Sequence, residues 1–251
     1  MKVFIAGEMP FLQEVGELCV AAGHDTTLYL VEDFLSAEES AEVLASLEAT
    51  DVAIELHHET AVTKQHLLQA LSQALPDEAL ILTSALNTSA TQAAAWAANP
   101  ARVVGFGVLP PVQSGDAVEL ARALQTGEPA FEQAQQFWQG VGLETAVTAD
   151  GPGLIRARTL CCIVNEAASA LMEGVAAAAD IDQAMQLGTN YPRGPLAWAD
   201  YIGLDTILGV MTGLFQEWGE DRYRPSPLLK RMVLAGQLGK KTGVGFYHYE
   251  S

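Results

Sequence analysis

Short apolar runs recur through the first part of the chain, each separated from the next by a stretch patterned like a helix. They fall at residues 3–6, 26–30, 52–56, 80–83 and 103–108. Runs of this length, spaced by amphipathic segments, are what a parallel sheet with crossover helices requires. The intervening segments predict helices over 10–22, closed by Gly23, and over 37–46, opened by the capping-box pattern Ser36-Ala37-Glu38-Glu39. Further helices are expected over 64–75 and 91–98. Two later strands, 116–124 and 144–148, flank a helix beginning near Pro129, a residue suited to a first helical turn.

The pattern changes at Asp150-Gly151-Pro152-Gly153. Beyond it the strand runs stop and helices take over. Residues 154–178 are apolar on most faces, as in a helix buried between neighbours or between subunits. Asp180 is positioned to cap a helix that Gly188 ends. Gly203 ends another and Asp205 caps the next, while Ser226-Pro227 opens the last, with Gly236 just past its end. The chain therefore divides into an α/β domain over 1–150 and an all-helical domain over 151–251.

Charge restricts the partners. Residues 1–150 hold 21 acidic and 4 basic side chains, a balance of −17 within a whole-chain charge of −18. Nucleic acid binding rests on basic residues that neutralise phosphates, so a nucleic acid partner is excluded. Three cysteines, Cys19, Cys161 and Cys162, have no ligand spacing and suit reduced thiols. Together with the lack of a signal-peptide pattern at the start and of any apolar stretch of spanning length, they point to the cytoplasm and away from a membrane.

Where the first strand meets the first helix, the chain reads Gly7-Glu8-Met9-Pro10-Phe11-Leu12. A dinucleotide-binding fold places G-x-G-x-x-G here, for a tight turn, close approach of the pyrophosphate and close helix–strand packing. Gly7 alone keeps the pattern. Met9 is expected to enter the pyrophosphate's space, Leu12 to thicken the helix–strand contact, and Glu8 to add negative charge. The position of the ribose-binding acid is Leu30, with Glu32 and Asp33 following in an expected loop.

The later segments are the most distinctive. They read Asn165-Glu166-Ala167-Ala168-Ser169, then Asp180-Ile181-Asp182 leading to Tyr191-Pro192-Arg193-Gly194-Pro195, then Gly203-Leu204-Asp205-Thr206, and finally Leu238-Gly239-Lys240-Lys241-Thr242-Gly243-Val244-Gly245-Phe246-Tyr247. In order and spacing they resemble the helical domain of the 3-hydroxyacyl-CoA dehydrogenases. That resemblance implies an α/β Rossmann-type NAD-binding domain followed by the helical domain. The implied activity is an NAD-linked oxidation of 3-hydroxyacyl-CoA to 3-oxoacyl-CoA, in fatty-acid metabolism, by a homodimer joined through the helical domain. An acyl-CoA-like small molecule is the implied partner. The tail motif Phe246-Tyr247 is expected to pack back on the sheet domain.

Residue by residue, the resemblance assigns cofactor contacts to Gly7, Glu59, Lys64 and Lys241. The family's serine is kept as Ser89, in Leu86-Asn87-Thr88-Ser89, and its glutamate as Glu119. The histidine base falls on Gly107 and the catalytic asparagine on Ala157. Glycine accepts no proton, and a general base contributes typically about 10²–10⁴-fold. The family's helical hairpin after the second strand is also absent, since only residues 31–51 join the second and third strands.

One other constellation could supply chemistry. Strand alternation puts Glu55, His57 and Glu59 on one face, as a base–carboxylate pair or as metal ligands. The plainer alternative is that His57 and His58 are exposed at a strand–loop junction, that Ser89 is a helix cap and that Glu119 is a solvated strand residue. Two functions stay open: an oxidoreductase with a weakened or relocated site, and a non-catalytic dimeric binding or regulatory descendant.

Overall fold

The computed structural model describes residues 1–249. Strands β1 (Lys2–Gly7), β2 (Asp25–Leu30), β3 (Val52–Leu56), β4 (Leu80–Ser84), β5 (Val103–Gly107), β6 (Ala117–Arg122) and β7 (Glu144–Thr148) form one sheet in the order β2-β1-β3-β4-β5-β6-β7. The first five are parallel, β6 runs antiparallel to β5, and β7 is parallel to β6. Every residue of β3, β4 and β5 is buried, which is why these strands read as unbroken apolar runs.

Helices cover both faces. On one lie α1 (Phe11–Ala21) and, later in the chain, a helix at Glu128–Gly140. On the other lie α2 (Val31–Ala37), α3 (Ala41–Glu48), α4 (Ala61–Ala74) and α5 (Ala90–Trp96). The Glu128–Gly140 helix is α6. The strand order reverses between β1 and β3, and ligands of open parallel sheets bind outside the carboxyl ends of the strands at such a point.

The link from β2 to β3 differs from its sequence reading. Glu32 and Asp33 lie in the first turn of α2, not in a loop. Ser36 bonds back to the Asp33 carbonyl within that helix, and Ser40 caps α3 by accepting from the Val43 N–H. The capping-box pattern is thus displaced by one turn, because a second helix starts at once where one was expected.

After β7 the chain is helical: α7 (Arg156–Met172), α8 (Ala178–Thr189), α9 (Pro195–Ile202), α10 (Leu204–Trp218) and α11 (Pro227–Leu234). The expected continuous helix over 154–178 breaks at Gly174, whose φ of 73° leaves the helical region. Ala177, not Asp180, occupies the N-cap of α8, and that helix runs through Gly188 to a left-handed Asn190. Gly203, not Asp205, is the N-cap residue of α10, and Asp205 falls in its first turn. α10 lies flat on the sheet's carboxyl edge. A Cβ on Gly209 would strike the His58 carbonyl oxygen, and one on Gly213 would strike the backbone of Asn87. The two glycines let helix and loops touch backbone to backbone.

The tail packs differently from expectation. Phe246 and Tyr247 pack on Ala167, Ala168 and Leu196 of the helical domain. The Asp200 carboxylate accepts from the Phe246 and Tyr247 N–H groups at 2.9 Å each. Asp182 accepts the Tyr247 hydroxyl at 2.8 Å and caps α9 through the Leu196 and Ala197 N–H groups. No described helix is long and apolar enough to cross a membrane.

Candidate active site and cofactor cleft

A cleft of about 420 Å³ opens at the carboxyl ends of β1, β2 and β3, and Gly7, Glu59 and Lys241 all line it. Gly7 is required for packing alone, since a Cβ there would lie 2.7 Å from the Cβ of Leu56. Leu12 is buried in the core, whereas Met9 is 41% exposed at the cleft's edge rather than filling it. The stronger change is one residue on. Pro10 is the N-cap residue of α1 and carries no N–H, while the Leu12 N–H is engaged by the Glu8 carbonyl at 2.9 Å. The turn that should aim amides at an anion has lost donors.

Glu8 adds a carboxylate at the same place. It lies against Nδ1 of His57, whose Nε2 accepts from the Thr60 N–H at 3.1 Å. Those partners put the ring proton on Nδ1 and leave neither nitrogen for a substrate. His57 and His58 are 4% and 0% exposed, so the reading of two exposed histidines is overturned. His58 contacts the Ser84 hydroxyl at 2.8 Å, and burial holds its pKa well below the usual imidazole value. Glu55 lies beneath, accepting from the His57 N–H at 2.6 Å and the Thr83 hydroxyl at 2.6 Å and pairing with the fully buried Lys64. Lys64 does not reach the cleft: its ammonium is held by Glu55 and by the His57 carbonyl at 3.1 Å. Among the described residues no group of three metal-ligating side chains comes together.

Glu59 faces three charged neighbours. Burial first, then Glu8 and a hydrogen bond shared with Asp205, push its carboxyl up to about 7, with Lys241 pulling the other way. Lys241 in turn is paired with Asp205.

The positions that the resemblance assigns to catalysis lie on the far side of the sheet's midline. Ser89 is the N-cap of α5, accepting from the Gln92 N–H at 3.2 Å. Glu119 is 4% exposed, not solvated. Its carboxylate sits under the start of α7 and accepts from Ile155 N–H at 3.3 Å and Arg156 N–H at 3.1 Å. Burial raises its pKa and these two N–H groups oppose the rise. A Cβ on Gly107 would stand 3.6 Å from the Glu119 carboxylate, so the strand still aims this position at its old partner. The same Cβ would meet Cδ1 of Leu154 at 2.9 Å. Leu154 is buried with a left-handed φ of 46°, and the end of its side chain reaches the front of Gly107. Ala157, at the asparagine's position, is buried at 1% exposure. Sequence spacing located Gly107 and Ala157; it gave no sign that the Leu154 side chain reaches Gly107.

Two family models match the chain: "3-hydroxyacyl-CoA dehydrogenase, NAD binding domain" over residues 17–151 and "3-hydroxyacyl-CoA dehydrogenase, C-terminal domain" over 153–249. The chain belongs to the 3-hydroxyacyl-CoA dehydrogenase family. It is 39% identical over 215 residues to a 3-hydroxybutyryl-CoA dehydrogenase of Bradyrhizobium diazoefficiens, covering 86% of this chain and 73% of the relative. It is 36% identical over 220 residues to a probable 3-hydroxybutyryl-CoA dehydrogenase of Bacillus subtilis, covering 88% and 77%. Among solved structures, the (S)-3-hydroxybutyryl-CoA dehydrogenase of Ralstonia eutropha superposes with a TM-score of 0.77 at 31% identity, over 100% of this chain and 99% of that one.

By this resemblance NAD is the family cofactor, and the chain keeps the NAD-binding Rossmann fold. The match begins at residue 17, after the Gly7–Leu12 loop. The loop is also where the structure does not fit the cofactor. Pro10 withdraws an amide from the turn and the Glu8 carboxylate adds negative charge to the cleft wall beside it.

Proposed function

We propose that the protein is a member of this oxidoreductase family that keeps its scaffold and a ligand cleft but does not carry out the family's oxidation of 3-hydroxyacyl-CoA. The observation that carries this is Gly107 at the position the resemblance gives to the base, with Glu119 beside it engaged by the N–H groups at the start of α7. No base stands there, and His57 has no free nitrogen to replace one. The protein is then a binding or regulatory protein of the cytoplasm, acting as a homodimer through its helical domain. The exposed Ile155, Met172 and Trp218 on α7, its entry and α10 support a subunit contact.

A second reading is favoured by Gly7, Glu59 and Lys241 lining one cleft. In it the protein is a weak NAD-linked oxidoreductase converting 3-hydroxyacyl-CoA to 3-oxoacyl-CoA in fatty-acid metabolism. The two are separated by assaying acetoacetyl-CoA reduction by NADH in the unaltered protein and in two variants. The first is Gly107→His/Leu154→Ala/Ala157→Asn; the second adds Met9→Gly, Pro10→Ala and Leu12→Gly. Our reading expects turnover from the second variant alone. Turnover by the unaltered protein, dependent on NADH, overturns it.

A further inference from the structure

The cleft's walls differ in chemistry along its length. At the β2 end, Leu30, Val31 and Leu35 present apolar surface, and Glu32 stands among them on the first turn of α2 with its side chain exposed. At the other end stand Glu8, after β1, and Glu59, after β3. Lys241, the cation at this end, is committed to Asp205.

The apolar end suits a planar base. A carboxylate just past the second strand of such a sheet is placed to accept from the two hydroxyls of a ribose. This half of a nucleotide site is therefore present, although the acid has moved from position 30 to Glu32. The other half is reversed: where a helix start should meet phosphate with N–H groups and positive potential, the chain offers an imino nitrogen and two carboxylates. A phosphate here would find fewer hydrogen-bond donors and face like charge.

We propose that the cleft takes a nucleoside whose 5′ carbon carries a neutral or positively charged group, rather than a nucleotide or dinucleotide. Glu32 holds the ribose hydroxyls, the Leu30–Leu35 wall holds the base, and Glu8 with Glu59 faces the 5′ substituent. The site goes beyond the function proposed above, and its test reads binding without turnover, so each can fail alone.

Isothermal titration of the full chain at about pH 8, with adenosine, 5′-amino-5′-deoxyadenosine, AMP and NADH as probes, tests it. The amino compound is expected to bind at least as tightly as adenosine, and AMP about tenfold or more weaker than adenosine. Glu32→Ala abolishes adenosine binding. Glu8→Gln, which keeps an acceptor for His57 but removes the charge, narrows the gap between AMP and adenosine. Thermal unfolding of both variants shows that they are folded. Adenosine that binds no tighter than AMP or NADH, or that does not bind at all, overturns the proposal, as does adenosine affinity unchanged in Glu32→Ala.

Discussion

Glu119 keeps its place in the family pattern and is engaged by backbone N–H groups. Its carboxylate closes the first turn of α7, where two N–H groups need an acceptor. Removing it as Glu119→Ala leaves those donors buried and is expected to cost about 2–3 kcal/mol of stability in urea unfolding. Glu59 makes a prediction of opposite sign. Its pKa is raised to about 7 by burial, with Glu8 and Asp205 adding negative field and Lys241 the one opposing cation. Protonation therefore favours the folded state. That advantage is full below the ordinary carboxylate range, shrinks as pH rises, and is gone above about 7. Because Glu59 is partly exposed, the effect is discounted to about 1 kcal/mol. Glu59→Gln should stabilise the protein by that amount at about pH 8 and change little at about pH 5. A variant equally affected at both would contradict the assignment.

Among the elements, α10 decides how the helical domain meets the sheet, and the tail braces the helical domain itself. Gly209 and Gly213 bring α10 onto the loops after β3 and β4, and Gly209→Ala is expected to cost about 1–3 kcal/mol by overpacking against the His58 carbonyl. The tail hangs on Asp200, so Asp200→Ala should raise hydrogen exchange at Phe246 and Tyr247 while leaving the strands protected. The sheet was legible from the sequence because β3, β4 and β5 are buried on both faces and must be apolar throughout. The β2–β3 link was not: Ser36 carries a capping-box pattern, yet it bonds back into α2 and Ser40 caps α3. The site divides in the same way. The loss of side chains at Gly107 and Ala157 follows from spacing. That Leu154 reaches Gly107, that Lys64 is held by Glu55, and that His57 is locked between Glu8 and Thr60 depend on contacts between separate segments. Pro10 was visible in the sequence as a residue without an N–H, and that signal names the altered loop more firmly than Met9 does.

For the whole molecule, the proposed reading is that the family fold survives with its chemistry removed from two places at once. One is the phosphate-binding turn at β1. The other is the space between β5 and α7. These lie on different elements, so restoring either alone leaves the reaction without a cofactor seat or without a base. The strongly acidic sheet domain, with 21 acidic against 4 basic side chains in residues 1–150, adds a field unfavourable to any polyanion approaching that edge. The most direct test is a single-turnover measurement with unaltered protein in excess over acetoacetyl-CoA and NADH, followed by NADH absorbance. A flat trace over many minutes is the predicted result, and NADH consumption matching the acetoacetyl-CoA supplied would contradict the account.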